Sequence, residues 1–200
     1  MTFSHSRSPF SNLAAISAVQ LICAATISSQ TRVNPQAEIM AQFSERVKAY
    51  VSLKKKADAK LPSQKETSDP ARIKAHVTSL ANGIRAARAD AKPGDVFNGA
   101  SEQFRQMILQ DAKDRSVRDA FAAMREVPKN TAPKVNADYP EEAPLASVPA
   151  LILKRLQRLP DGLEYRFMGR DLILYDSEAN LIVDVLHEAV PTVAKATVAK

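Results

Sequence analysis

The chain has one cysteine, three histidines and five glycines in 200 residues. A single cysteine, Cys23, excludes an intramolecular disulfide, and removal of the segment around it would take thiol chemistry away too. Five glycines leave no Gly-rich phosphate loop and no G-x-S-x-G nucleophile turn. The histidines stand apart, so neither a histidine metal cluster nor a Ser-His-Asp set is signalled. Aromatic residues make up 6% of the chain and do not interleave with basic ones as a base-stacking surface requires. These absences argue against an enzyme, a cofactor or metal protein and a nucleic-acid binder. They leave no residue to nominate for catalysis, cofactor binding or metal ligation.

Charge is also missing, and locally. From Ser8 to Thr31 there is no Asp, Glu, Lys or Arg. Within that stretch runs the apolar segment Leu13 to Ile27, with Arg7 ahead of it and the small residues Ser28 and Ser29 behind. This order is that of a secretory signal peptide. A spanning helix needs about 20 mostly apolar residues, and here Ser17, Gln20 and Thr26 dilute a shorter run. The sequence therefore predicts a signal peptide over residues 1–28, with Ala25 and Ser29 as other edges, and an exported chain, periplasmic or secreted. A retained N-terminal anchor is the alternative. Lipidation at Cys23 is disfavoured because Leu21-Ile22, not small residues, precede it.

The net charge is +6, and its basic excess lies in residues 38–127, where 17 Lys and Arg face 12 Asp and Glu. Lys54, Lys55, Lys56, Arg85 and Arg88 are the candidate contacts to an anionic surface, lipid or polymer; a solvated helix face is the ordinary reading of the same residues.

Asn34-Pro35 and Asp69-Pro70 each pair a capping side chain with proline at the first helical position. The first opens a helix reaching about Lys60. The second opens one carrying Ile73, Val77, Leu80, Ile84, Ala87 and Ala91 on one face and ending at Lys92-Pro93-Gly94. Periodicity continues across Asn82-Gly83, so the helix is kept there despite the turn signal. Ser101 is a candidate cap for a third helix, which slips near Asp114-Arg115-Ser116 and continues either kinked or as a separate short helix.

Five prolines fall between Pro128 and Pro149, a density that excludes helix interiors and central strands. A short helix, Ala150 to Arg158, follows. Then the period changes to two, and three short runs separated by Gly169-Arg170 and by Asp176 to Asn180 predict an antiparallel meander. The fold class is α+β: a helical hairpin or bundle of three to four helices, a proline-rich strap, and a C-terminal helix backing a three-stranded sheet. The divisions expected are a signal peptide at 1–28, a helical domain at 34–127, a linker at 128–149, a helix plus meander at 150–190 and a disordered tail at 191–200.

The stretch Tyr165 to Leu186 resembles the β-meander of small periplasmic proteins of the RcnB-like group, with an aromatic-basic strand, an L-I-L-x-D-like strand and an I-V-D-V-type strand. It is also similar to the ending of exported bacterial proteins that share L-E-Y-R-F-x-G-R-x-L-I-L and have no known activity. The first resemblance implies a periplasmic meander and, in that group, nickel and cobalt homeostasis. Metal handling needs ligands, and after the signal only His76 and His187 remain, neither in a histidine cluster. Asp184, His187 and Glu188 would share a face only on a helix; the β-branched run before them favours a strand, with these residues at its exposed end. Glu164 and Asp184 are candidates for cross-strand ion pairing with Arg166 or Arg170, and Glu141-Glu142 sit in the proline-rich stretch with nothing to raise a pKa. The function expected is non-enzymatic: an exported binding module for a protein or envelope partner, docking by strand addition to a sheet edge. A basic envelope-surface binder and a hydrolase without a readable motif are the alternatives.

Overall fold

A computed structural model describes residues 34–63, 67–115, 117–119, 121, 132–140 and 148–190. The expected signal peptide, Cys23, Glu141-Glu142, half of the linker and the C-terminal tail lie outside them.

The two cap-proline signals act as read. Helix α1 spans Pro35–Asp58 and α2 spans Pro70–Ala87. The Asn34 side chain accepts the Gln36 N–H at 3.0 Å, and Asp69 accepts that of Ala71 at 3.0 Å. Each bond satisfies one of the donors left orphaned in a first turn. The helices form an antiparallel pair, and Gly83 belongs to α2, where a Cβ would stand 3.4 Å from that of Ala57. The Asn82-Gly83 pair is thus a close helix contact rather than a turn.

Helix α2 ends at Ala87, earlier than the expected Lys92-Pro93-Gly94 stop. The chain turns at Arg88, whose carbonyl accepts the Asn136 side-chain N–H at 2.9 Å. Helix α3, Ser101–Asp111, is capped by Ala100 without a side-chain bond. Ser101 is instead the first helical residue, and its hydroxyl donates to the Phe97 carbonyl at 3.2 Å. A turn at Ala112 to Asp114 breaks the helix before helical residues resume at Arg115, so the slip in pattern marks a true interruption. Helix α4 is shorter than expected, Ala150–Arg155, because Leu156 is already extended.

The meander is present as β1 Leu163–Met168, β2 Asp171–Asp176 and β3 Leu181–Leu186, antiparallel in that order. Gly169 takes a positive φ in the two-residue turn between β1 and β2. An irregularity lies between the β2–β3 pairs Leu174↔Asp184 and Tyr175↔Ile182, leaving Val183 as an extra residue on β3. Strict alternation would put Asp184 on the same face as Ile182. The bulge turns it to the opposite face with Leu181, Val183 and Leu186.

That face meets the helices. Phe43 and Val47 of α1, Phe97, Phe104 and Ile108, Ile152 of α4, and Tyr165, Phe167, Leu172, Leu174 and Val183 of the sheet bury one continuous core. Phe43, Phe97 and Phe104 contact one another at centroid distances of 4.9–5.7 Å, and Phe104 reaches Tyr165 at 5.8 Å. The cover on the sheet is therefore shared by α1, the 96–104 segment, α3 and the short helix before the meander, through Ile152. Residues on both sides of the 128–149 stretch share this core, so the stretch does not separate two independently packed units. On the opposite face Ile173, Tyr175, Ile182 and Val185 pack with Tyr139. The segment around Tyr139 also pairs with β3: Asn136 N–H to Ile182 O, Ile182 N–H to Ala137 O, and Tyr139 N–H to Asn180 O. Both faces of a three-stranded sheet are thus covered.

Asp184 fastens the two halves. It is fully buried, and its carboxylate accepts backbone N–H bonds from Gly94 at 2.6 Å, Val96 at 2.7 Å, Phe97 at 2.8 Å and Val185 at 2.8 Å. The expectation that Asp184 sits at an exposed strand end, or joins Glu164 in cross-strand ion pairing with Arg166 or Arg170, is overturned by the bulge, which directs it inward. Burial raises its pKa and the four N–H bonds oppose that rise. Replacing Asp184 by asparagine sets an NH2 group against backbone N–H donors. The D184N chain is expected to lose about 3 kcal/mol of unfolding free energy, read as a lowered urea midpoint at unchanged slope.

Candidate functional site

The five basic residues singled out in the sequence do not form one surface patch. Lys54 is only 7% exposed. Its ammonium lies 3.1 Å from Asp176 Oδ2 and 2.7 Å from Glu178 Oε2. Arg85 bonds the Asn136 carbonyl at 2.8 Å and pairs with Asp138, and so holds the strap to α2. The Arg88 guanidinium sits 5.3 Å above the Tyr50 ring, and burial lowers its pKa. Lys55 and Lys56 are exposed, on the outer side of α1.

Sequence reasoning missed the group that Lys54 joins. Asp176 is fully buried. It accepts the Tyr50 hydroxyl at 2.8 Å, the Glu178 N–H at 3.0 Å and the Ala179 N–H at 3.1 Å. The two backbone bonds, two and three residues on, are the usual work of an aspartate opening a turn. Read that way, Asp176-Ser-Glu-Ala carried the signal. Burial and the Asp176 charge raise the Tyr50 pKa, with burial the larger cause. Gly162 closes the cluster: its φ is positive, and an added Cβ would lie 2.8 Å from a Glu178 oxygen and 3.1 Å from the Lys54 nitrogen. This cluster joins α1 to the β2–β3 turn, with Asp176 and Lys54 buried and Glu178 at its exposed side.

The histidines are also tied locally. His76 approaches Asp58 at 3.3 Å, linking α2 to α1, and His187 approaches Asp171 at 3.2 Å. Asp171 also accepts the Glu188 N–H at 2.8 Å. Asp184 is thus occupied by backbone donors, and it does not combine with His187 and Glu188 into a ligand set. Among the described residues, no group of three His, Cys, Asp or Glu is placed to hold a metal ion, and no helix is long and apolar enough to cross a membrane. Glu164 receives two bonds from Arg166 of the same strand, at 3.0 and 2.8 Å. The Arg166 guanidinium lies over the rings of Tyr175, at 4.5 Å, and Tyr139, at 5.3 Å.

Among the described residues, a groove of about 480 Å3 opens between β1 and the stretch formed by Leu153 of α4 and the segment after it. One wall is Val148, Leu153 and the extended segment Gln157 to Leu159; the other is Leu163 to Arg166. Successive strand side chains point to opposite faces. A groove touched by four successive residues of β1 therefore runs along the strand's outer edge rather than across a face. The Tyr165 hydroxyl donates to the Gln157 carbonyl at 2.9 Å, which fixes the spacing of the two walls. Leu153, in the groove wall, is 45% exposed; Leu151, two residues earlier on α4 and outside the lining, is 41% exposed. The sequence marked these leucines as one apolar side of an amphipathic helix, whereas both are substantially exposed.

No family model, curated protein or solved structure matches the chain.

Two lysines adjacent in sequence allow a direct check on this assignment. Lys54→Met strands the buried Asp176 charge and is expected to cost about 3 kcal/mol of stability. Lys55→Met is expected to change stability by less than about 0.5 kcal/mol. Paired thermal and urea melts measure both.

Proposed function

We propose that the protein is an exported, non-enzymatic interaction module that seats an extended polypeptide segment in the groove between α4 and β1. The observation that carries the reading is the groove's course along the outer edge of β1, where β1 is the terminal strand of the sheet. The opposite edge of the sheet is partly occupied by the chain's own 136–139 segment. Edge strands accept extended peptides through main-chain bonds, while neighbouring pockets select side chains. The half-exposed Leu153 in the groove wall supplies apolar area for such a partner.

A non-enzymatic role is supported by how the reactive side chains are used. Asp184, Asp176, Lys54 and Tyr50 are all buried and committed to structural bonds. Among the described residues, the groove walls hold no serine, cysteine or histidine. Export is supported by the uncharged apolar opening of the sequence.

Two measurements test the proposal. Fractionation of bacteria expressing the full chain is expected to recover a shortened protein outside the cytoplasm, its first residue close after Ser28. Intact protein beginning at Met1 in the cytosol overturns the export reading. For the groove, a displayed library of extended peptides is screened against the purified chain. Selected peptides are expected to weaken about tenfold with Leu153→Asp, a loss near 1.4 kcal/mol. They should be indifferent to Leu109→Asp, which alters an exposed leucine of α3 outside the groove. Equal effects of the two variants overturn the groove.

A further inference from the structure

The groove reading above leaves the partner's chemistry open, and the charges around the groove narrow it. Two arginines, Arg158 and Arg166, and one carboxylate, Glu164, take part in its lining. Glu164 is spent on Arg166, through two hydrogen bonds to one of its oxygens. That leaves Arg158, which is exposed and forms no ion pair among the described residues, as the uncompensated charge of the lining. Lys154, also exposed, extends the same sign along α4 beside Leu153. Arg155, by contrast, is bound to Asp111 at 2.7 Å and is used to hold α4 to α3. The groove therefore sets a cationic rim over aliphatic walls formed by Val148, Leu153, Leu159 and Leu163. Low-dielectric walls strengthen the field of such a rim.

We infer that the segment seated here is an acidic peptide in extended form, with aliphatic side chains turned to the leucines and carboxylates turned to Arg158 and Lys154. This rests on the groove reading and adds its chemical selectivity. An anionic bilayer shares the charge but fits less well. The apolar surface lies partly within a trough bounded by a strand and an extended segment, and a flat membrane cannot follow it without losing contact with one wall.

The test uses the full chain and two fluorescent peptides, one alternating Glu and Leu and one alternating Lys and Leu, read by anisotropy. The Glu-Leu peptide is expected to bind about tenfold tighter than the Lys-Leu peptide. Its binding is expected to weaken between about 0.05 and about 0.5 M salt. Arg158→Glu is expected to reverse the preference without altering the melting curve, and Leu153→Asp to weaken both peptides. If the two peptides bind equally well and Leu153→Asp weakens both, the groove stands and the acidic preference falls. If neither peptide binds, both the groove reading and this inference fall. If phosphatidylglycerol vesicles bind more tightly than the Glu-Leu peptide and lose that binding with Arg158→Glu, the occupant is a lipid surface and the inference is overturned.

Discussion

One buried carboxylate holds this architecture in register. Asp184 gathers three N–H groups from the 94–97 turn and one from its own strand. Those turn residues lead directly into Phe97, which packs on Phe43 and Phe104. The contact therefore fixes both where the loop after α2 crosses the sheet and where the phenylalanine cluster forms. Four donors are close to the full hydrogen-bonding capacity of a carboxylate. The cost of burying a charge is offset here by backbone dipoles that would themselves need partners once buried. Removing either side leaves the other stranded.

Asp176 applies the same chemistry at the far end of the sheet. It combines two backbone donors with a tyrosine hydroxyl and a lysine, so the β2–β3 turn is joined to α1. The two aspartates lie on β2 and β3, and each reaches into the helical half of the chain. Between them the apolar contacts are non-directional. The aspartates supply the directionality that sets which helix residue meets which strand residue. The opposite face of the sheet follows a different rule: Arg166 lies over two tyrosines and is bonded to Glu164, covering the aromatic surface with its flat guanidinium.

Most elements were legible because their signals are local. Cap-proline pairs opened α1 and α2, and period-two alternation with two short turns gave the meander. The inaccurate boundaries have tertiary causes. Helix α2 stops at Ala87 because Asn136 takes the Arg88 carbonyl and the following residues are needed to wrap Asp184. Asp184 looked exposed because simple alternation assigns it to the wrong face, and a bulge is not written in the strand's composition. Lys54 looked like one of a basic run because its partners Asp176 and Glu178 are more than a hundred residues away. The groove was not readable at all. It depends on α4 stopping at Arg155 and on a tyrosine hydroxyl bridging to the carbonyl of Gln157.

The shared core also bears on how the chain comes together. Tyr50 and Lys54 bond to Asp176, and Phe43 joins Phe97 and Phe104 in a core that the sheet residues 165–186 complete, so α1 and α2 have no complete apolar surface to fold against until nearly all of these residues are available. Closing loops of that length before any contact rewards them makes assembly slow compared with a self-contained helical bundle. A chain built this way stays loosely organised while it is being made, and it reaches its final form only after the last strand arrives.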